Sequence, residues 1–341
     1  MKQAITFDDI QIKPSFSEIL HRADCDVKTK ITANVKLDIP IVSSPMDTIT
    51  ELQMAVALGK LGGLGIVHRF MSIERQATTI KQIKQQDLIA GAAIGITNSF
   101  IERAQELVKT GCDILLIDVA HGHHILVKEA LRRLKNEIKG SFEIIVGSIA
   151  TEEAARDLCE WGADCLRVGA GNGSLCTTRI RTGVGVPSVT ALLDAISVSD
   201  IYSVPVIADG GIRNIGDVCK GLGCGADAVM LGSLLSGTKE TPGEISKVGQ
   251  WPNEQLYKKY RGSASLESKL ERDENKNVEG ESQLILYKGK IKRIIVDIID
   301  GLKSSMSYVG AKDLIEFQTL AKFVKITPAG TIEAQPHLII K

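Results

Sequence analysis

Eight short apolar runs rich in valine and isoleucine recur along the 341-residue chain, with amphipathic stretches between them. They fall at Ile39–Ser44, Gly65–His68, Ile89–Gly95, Ile114–Ala120, Glu143–Ser148, Cys165–Gly171, Pro205–Gly211 and Ala228–Gly232. None alternates strictly between apolar and polar residues, which is the pattern of parallel strands covered on both faces. The stretches between them read as helices. Thr151 caps one that opens on Glu152-Glu153 and stops near Trp161-Gly162. Asn98–Thr110, stopped by Gly111, is a second, and Val127–Ile138 and Val189–Ile196 are two more. Repeated strand–helix units predict an α/β fold with a parallel sheet, and eight of them predict a closed (β/α)8 TIM barrel. A doubly wound open sheet is the alternative. A barrel of this kind exceeds 200 residues as one domain, so residues 1–341 read as one unit, with nothing inserted between the second helix and the third strand.

After the eighth strand the rhythm breaks. Residues 263–283 are polar and charged without apolar periodicity. They follow the barrel face that carries active sites, so they are expected to form a mobile flap. Helical patterning returns at Ile291–Leu302 and Asp313–Phe323, as a last barrel helix and a C-terminal extension.

Composition narrows the partners. Forty-one basic residues balance 41 acidic ones, which argues against nucleic acid or an anionic membrane. No apolar run reaches about 18 residues, and the N-terminus runs into Asp8 and Asp9 without a signal-like stretch. A cytoplasmic protein is expected. The seven cysteines, Cys25, Cys112, Cys159, Cys165, Cys176, Cys219 and Cys224, form no Cys-x-x-Cys pair, and their odd number suits free thiols.

Three constellations carry chemistry. Asp209-Gly210-Gly211 ends the seventh strand and Gly232-Ser233 the eighth, where barrels often bind phosphate through main-chain N–H groups. Asp209 is placed there to accept hydrogen bonds from ribose hydroxyls. The sixth strand runs into Gly169-Ala170-Gly171-Asn172-Gly173-Ser174-Leu175-Cys176-Thr177-Thr178-Arg179. Its glycines leave carbonyls open to a monovalent cation and N–H groups open to an anion. Cys176 follows with Arg179 nearby to favour thiolate, and Thr178 is placed to relay a proton. At the end of the fourth strand, Asp118-Val119-Ala120 leads into His121, His123 and His124. A zinc site there lacks a Glu or Cys at ligand spacing, so a ligand-facing Asp118 is the preferred reading.

These residues resemble the inosine monophosphate dehydrogenase / guanosine monophosphate reductase family over nearly the whole chain. The resemblance lies in Ser43-Ser44-Pro45-Met46-Asp47-Thr48, the Gly171–Arg179 loop, Thr182-Gly183-Val184-Gly185-Val186-Pro187 and Ala208-Asp209-Gly210-Gly211. It continues through Met230-Leu231-Gly232-Ser233, Tyr260-Arg261-Gly262-Ser263, Tyr287-Lys288-Gly289 and Gly301-Leu302-Lys303-Ser304-Ser305. The family implies that Cys176 attacks purine C2 and that Ser174, Gly211, Gly232 and Ser233 grip the phosphate. Asp209, Gly210, Met230, Tyr260, Gly262, Ser263 and Gly280 complete the implied nucleotide site. Asp118, Val119, Ala120, Gly169 and Arg69 would face the dinucleotide, with His21 and Arg22 reaching it from a neighbouring subunit. A potassium-type cation would sit on Gly171, Gly173, Cys176 and Arg179, and a homotetramer is implied.

The flap decides between the branches. A dehydrogenase must activate water, and its longer flap normally carries an Arg-Tyr pair. Between Gly262 and Gly289 the only arginine is Arg272, followed by Asp273. The segment Lys276-Asn277-Val278-Glu279-Gly280 resembles the reductase, in which Glu279 with Thr178 would protonate the leaving amine. The missing inserted domain, Asp118-Val119-Ala120-His121-Gly122, and basic residues suited to the 2′-phosphate of NADPH point the same way. Ser43–Asp47, Gly62–His68 and Pro336-His337 look more like the dehydrogenase. Asn172 and Ser148 depart from both, where proline and asparagine are usual. The reading is an NADPH-dependent GMP reductase. A short IMP dehydrogenase and a non-catalytic nucleotide-binding barrel are the alternatives.

Overall fold

The computed structural model describes residues 3–97, 99–250, 252–270 and 278–336. All eight expected strands form, and they close into one parallel barrel. In chain order they are β1 (Ile41–Ser43), β2 (Leu64–Val67), β3 (Gly91–Ile94), β4 (Ile114–Asp118), β5 (Glu143–Ile149), β6 (Cys165–Val168), β7 (Val206–Asp209) and β8 (Ala228–Leu231). Each pairs in parallel with its sequence neighbour, and β8 closes onto β1 through Val229, Met230 and Leu231 against Ile41, Val42 and Ser43. Closure rules out the open sheet.

Helices α1 (Leu52–Lys60), α2 (Ile73–Lys84), α3 (Phe100–Lys109), α4 (Ile125–Glu137) and α5 (Glu152–Glu160) follow the first five strands. A one-turn helix, α6 (Thr178–Thr182), and α7 (Ser188–Tyr202) follow β6, and α8 (Ile215–Gly223) follows β7. Thr151 caps α5 as expected, its hydroxyl accepting from the Ala154 N–H at 3.2 Å. Helix α7 outruns its apolar pattern, because Ser197 and Ser199 return their hydroxyls to the helix carbonyls of Asp194 and Ile196. Asn98, the expected start of α3, lies outside the described residues.

The barrel interior follows from strand alternation. Val42, Leu64, Ile66, Ala93, Ile114, Leu116, Ile145, Cys165, Ile207, Ala228 and Met230 pack into one cluster inside it. Leu37 of the hairpin Thr29–Lys30/Lys36–Leu37, and Ile31 just after its first strand, complete that cluster. Every large member is sealed from water, each stabilising the fold by about 1.5–3 kcal/mol. The same two-residue period carries Asp118, Arg167 and Asp209 inward, one layer above this plug. An apolar barrel thus ends in a charged floor on its C-terminal face.

The segment 263–283, expected as a mobile flap, carries regular structure at both ends and is preceded by two further strands. Strands β9 (Ser246–Val248), β10 (Gln255–Arg261) and β11 (Ser282–Leu286) form an antiparallel sheet, with α9 (Leu266–Leu270) after β10. Charged positions hid these strands, because their outer faces meet water. Residues 271–277, with Arg272, Lys276 and Asn277, lie outside the described set. The sheet is anchored from below. Arg261 pairs with Asp47 at 2.7 Å, and the buried Lys258 ammonium donates to the carbonyls of Thr238, Lys239 and Thr241.

Helix α10 (Ile291–Val309) returns to the barrel, burying Met306 and Val309 beyond the expected end at Leu302. The helix expected at Asp313–Phe323 ends at Leu320 as α11 (Leu314–Leu320), and Lys322–Lys325 instead pairs antiparallel with an N-terminal strand, Ile10–Lys13. No helix among the described residues is long and apolar enough to cross a membrane.

Candidate active site

A cavity of about 690 Å³ opens on the C-terminal face of the barrel, above the charged floor. A second hollow of about 810 Å³ lies at the opposite end, beside Lys28, Lys36, Asp38 and Asp227. The larger hollow brings together neither a free thiol nor the glycine-rich strand ends, so the chemistry belongs to the smaller one.

The floor is one connected array. Arg167 is 6% exposed and donates to Asp118 at 2.8 Å and to the Ser148 hydroxyl at 2.8 Å. Its Nε lies 3.5 Å from Asp209 and is buried without a hydrogen-bond partner. Burial opposes the Arg167 charge, but Asp118 and Asp209 outweigh it and hold the guanidinium above its ordinary value. Burial pushes the Asp209 carboxyl up to about 6; Arg167 pulls it down and Asp118 adds to the rise. Sequence reading missed Arg167, although a charge inside the apolar run Cys165-Leu166-Arg167-Val168 was a signal. Ser148, a departure from both branches, takes a defined place as acceptor for Arg167.

The end read as the phosphate grip is mostly main chain. Gly210 and Gly211 have φ of +83° and +77°. The Gly211 N–H is tied to the Asn172 carbonyl at 2.8 Å, which joins the β7 end to the catalytic loop. Gly169 is obligatory for a stronger reason: a Cβ there would sit 1.7 Å from the Asp209 carbonyl. The Ser174 and Tyr260 hydroxyls lie 3.1 Å apart, and a Cβ on Gly232 would come 3.2 Å from the same tyrosine oxygen. Burial pushes the Tyr260 phenol up, so its proton stays on as a donor. Met230, Gly232, Ser233, Gly262, Ser263 and Gly280 line the same cavity.

The reacting end is built from side chains. Cys176 is partly exposed, whereas the other six cysteines are buried. Burial pushes Cys112 and Cys224 up to about 12, which keeps them protonated and inert. Cys176 Sγ donates to Thr178 Oγ1 at 3.1 Å, and Thr178 Oγ1 donates to Glu279 Oε2 at 2.7 Å. Main-chain bonds hold this contact. Thr177 N–H donates to the Glu279 carbonyl at 3.0 Å, Glu281 N–H to Leu175 at 3.0 Å, and Glu279 N–H to Ala264 at 3.0 Å. The three expected catalytic residues, 101 positions apart between Thr178 and Glu279, therefore form one relay.

Asp118, Val119, Ala120, Gly169 and Arg69 line the cavity on its other side, with Phe70 and His121. Arg69 stacks on Phe70 at 4.9 Å and lies 3.9 Å from Asp118 through an Nε that is buried without a partner. Arg69 thus adds a cation beside Asp118 at this side of the cavity. His21 and Arg22 do not line their own chain's cavity; Arg22 reaches Ser304 at 3.5 Å on α10 instead. The histidines form no metal cluster, since among the described residues no group of three or more His, Cys, Asp or Glu can hold an ion.

Gly171, Gly173, Cys176 and Arg179 share one loop, and two of their carbonyls are already engaged by main-chain N–H groups. The Gly173 carbonyl accepts from Cys176 N–H at 3.1 Å, and the Arg179 carbonyl accepts from Gly183 N–H at 2.9 Å. The Arg179 side chain packs on Gly171, where a Cβ would meet its Nε at 3.4 Å. A permanent positive charge beside Gly171 opposes a second one there, and no step below uses such an ion.

A thiol, a hydroxyl and a carboxyl group in hydrogen-bond contact above a charged barrel floor, with glycine-lined strand ends beside them, mark a (β/α)8-barrel enzyme with its site on the C-terminal face. The chain belongs to the IMP dehydrogenase / GMP reductase family, whose domain matches residues 4–337. The family consists of oxidoreductases that act on purine nucleotides with a nicotinamide cofactor. An inosine-5'-monophosphate dehydrogenase from Cryptosporidium parvum is 37% identical over 389 positions, covering 98% of this chain and 95% of that protein. One from Borreliella burgdorferi is 38% identical over 398 positions, covering 98% and 97%. A crystal structure of a GMP reductase from Trypanosoma brucei, a cysteine-to-alanine variant in complex with guanosine 5'-monophosphate, superposes with a TM-score of 0.94 at 29% identity. That match covers 100% of this chain and 99% of the other. Coverage this complete means that proteins named dehydrogenase also run to only about 400 residues. Other dehydrogenases align over 471–481 positions, so the missing inserted domain does not by itself separate the branches.

Proposed function

We propose that this protein is a GMP reductase, converting GMP to IMP and ammonia with NADPH. The observation that carries the reading is the relay Cys176–Thr178–Glu279, which ends on a carboxyl group. In this reading Cys176 sulfur bonds to purine C2, and the thiol proton passes through Thr178 to Glu279. Glu279 returns a proton through Thr178 to the 2-amino group, which leaves as ammonia. The reduced dinucleotide supplies the hydride that C2 then receives. The carbon–sulfur bond breaks, its electron pair returns to Cys176, and IMP is released. Asp209 holds the ribose, Tyr260 and Ser174 hold the phosphate, and Arg69 takes the phosphate end of NADPH. His21 and Arg22, exposed and away from their own cavity, suit a contribution to a neighbouring copy in a tetramer.

The second reading is a short IMP dehydrogenase. It is favoured by relatives so named at 37% and 38% identity. Against it stands the lack of an Arg-Tyr pair between Gly262 and Gly289. Incubation with GMP plus NADPH, and separately with IMP plus NAD⁺, distinguishes them by the absorbance of the reduced dinucleotide. The proposal expects NADPH consumption with ammonia release. NADH formation from IMP would overturn it, and silence in both with tight GMP binding would favour a non-catalytic binder.

A further inference from the structure

Arg167 lies between two carboxylates that belong to different halves of the cavity. Both line the cavity, and in the proposed reading Asp118, on β4, faces the dinucleotide and Asp209, on β7, the nucleotide. One guanidinium serves both, unequally. It bonds Asp118 at 2.8 Å, whereas its Nε stands 3.5 Å from Asp209 and makes no hydrogen bond. A cation at 6% exposure between two anions cannot be replaced by solvent, so what one carboxylate gains from it the other loses.

We propose that Arg167 couples the two binding steps, so that nucleotide and dinucleotide each strengthen the binding of the other. This rests on the assignment of Asp209 to the nucleotide and Asp118 to the dinucleotide. Ribose hydroxyls donating to Asp209 fix its carboxylate beside Arg167 Nε, 3.5 Å away, and draw the guanidinium toward β7. Asp118 is then released to accept from donor groups of the dinucleotide. In the opposite order, a dinucleotide engaging Asp118 frees Arg167 to compensate Asp209. Reciprocity follows from linkage. The charged and titratable groups around Asp209 are Arg167 on β6, Asp118 on β4 and the Tyr260 phenol on β10, with Arg69 beyond Asp118. Of these only Arg167 contacts both carboxylates. Arg167 is thus a positioning residue that acts through its two partners.

IMP and NADPH form a pair that reacts in neither direction of the family's chemistry, which makes coupling measurable at equilibrium. Calorimetric titration of IMP into the protein, alone and with saturating NADPH, should show about fivefold tighter IMP binding with NADPH present. In Arg167→Gln each affinity falls, but the ratio drops to about one, a change that a purely structural role would not produce. Arg167→Lys keeps the charge but cannot span both carboxylates, and should also lose the ratio if the glutamine variant fails to fold. A ratio of one in the unaltered protein, or an undiminished ratio in a folded variant, overturns the inference while leaving the nucleotide assignment intact. Absence of IMP binding would overturn that assignment and the coupling with it.

Discussion

The two ends of the cavity are held in different ways. At the end proposed to grip the phosphate, main chain at the mouths of β7 and β8 forms the wall, and glycine conformations fixed by neighbouring backbone shape it. At the reacting end, Cys176 and Thr178 from one loop meet Glu279 from another, and three backbone bonds hold the loops together. The first is part of the barrel and forms whenever the barrel forms. The second exists only while residues 279–281 are docked against 175–177. Substrate grip and chemistry should therefore be separable by mutation, the grip failing with the fold and the chemistry failing alone.

Removing the nucleophile separates them most sharply. Cys176→Ala should lower turnover by about 10⁴-fold or more while the nucleotide dissociation constant, measured by calorimetry, moves by less than about tenfold. Next comes Glu279→Gln, which keeps the hydrogen bond to Thr178 but cannot take a proton. It should lower kcat by about 10²–10³-fold with KM for the nucleotide little changed. A matching rise in KM would show that the two ends are not independent.

The opposite perturbation strikes the barrel side. Gly169→Ala places a methyl against the Asp209 carbonyl at a position with φ of +145°. It should destabilise the fold by about 3 kcal/mol in chemical denaturation and weaken nucleotide binding with it. A stable variant with altered chemistry only would break the comparison. The smallest effect is on pH. The Asp209 carboxyl, at about 6, becomes protonated and loses acceptor capacity as pH falls through that value. Nucleotide affinity should therefore weaken by about tenfold between pH 7 and 5. Asp209→Asn should bind weakly and show no such dependence.

The eight strands were legible because buried parallel strands leave unbroken apolar runs, and the relay was legible because Cys176, Thr178 and Glu279 lie in recognisable motifs. What escaped shares one physical cause: partners distant in sequence. Ile10–Lys13 pairs with Lys322–Lys325 through main-chain bonds that no local pattern announces. Asp47 sat in a recognised motif, yet its role in holding the flap base through Arg261 needed the fold to bring positions 214 apart together. Arg167 was visible as a charge in an apolar strand, but only barrel closure shows that it stands between Asp118 and Asp209. The packing of Arg179 against Gly171, beside the expected cation site, is likewise a contact that glycine spacing does not announce.

The direction of the chemistry at Cys176 is tested most directly with GMP alone. Reductase chemistry expels ammonia before any hydride moves. Intact-mass measurement should then find a protein adduct equal to GMP less ammonia, located on Cys176 by peptide mapping, with ammonia released in proportion to active sites. No adduct and no ammonia from GMP, with the same adduct appearing from IMP plus NAD⁺, would contradict the account.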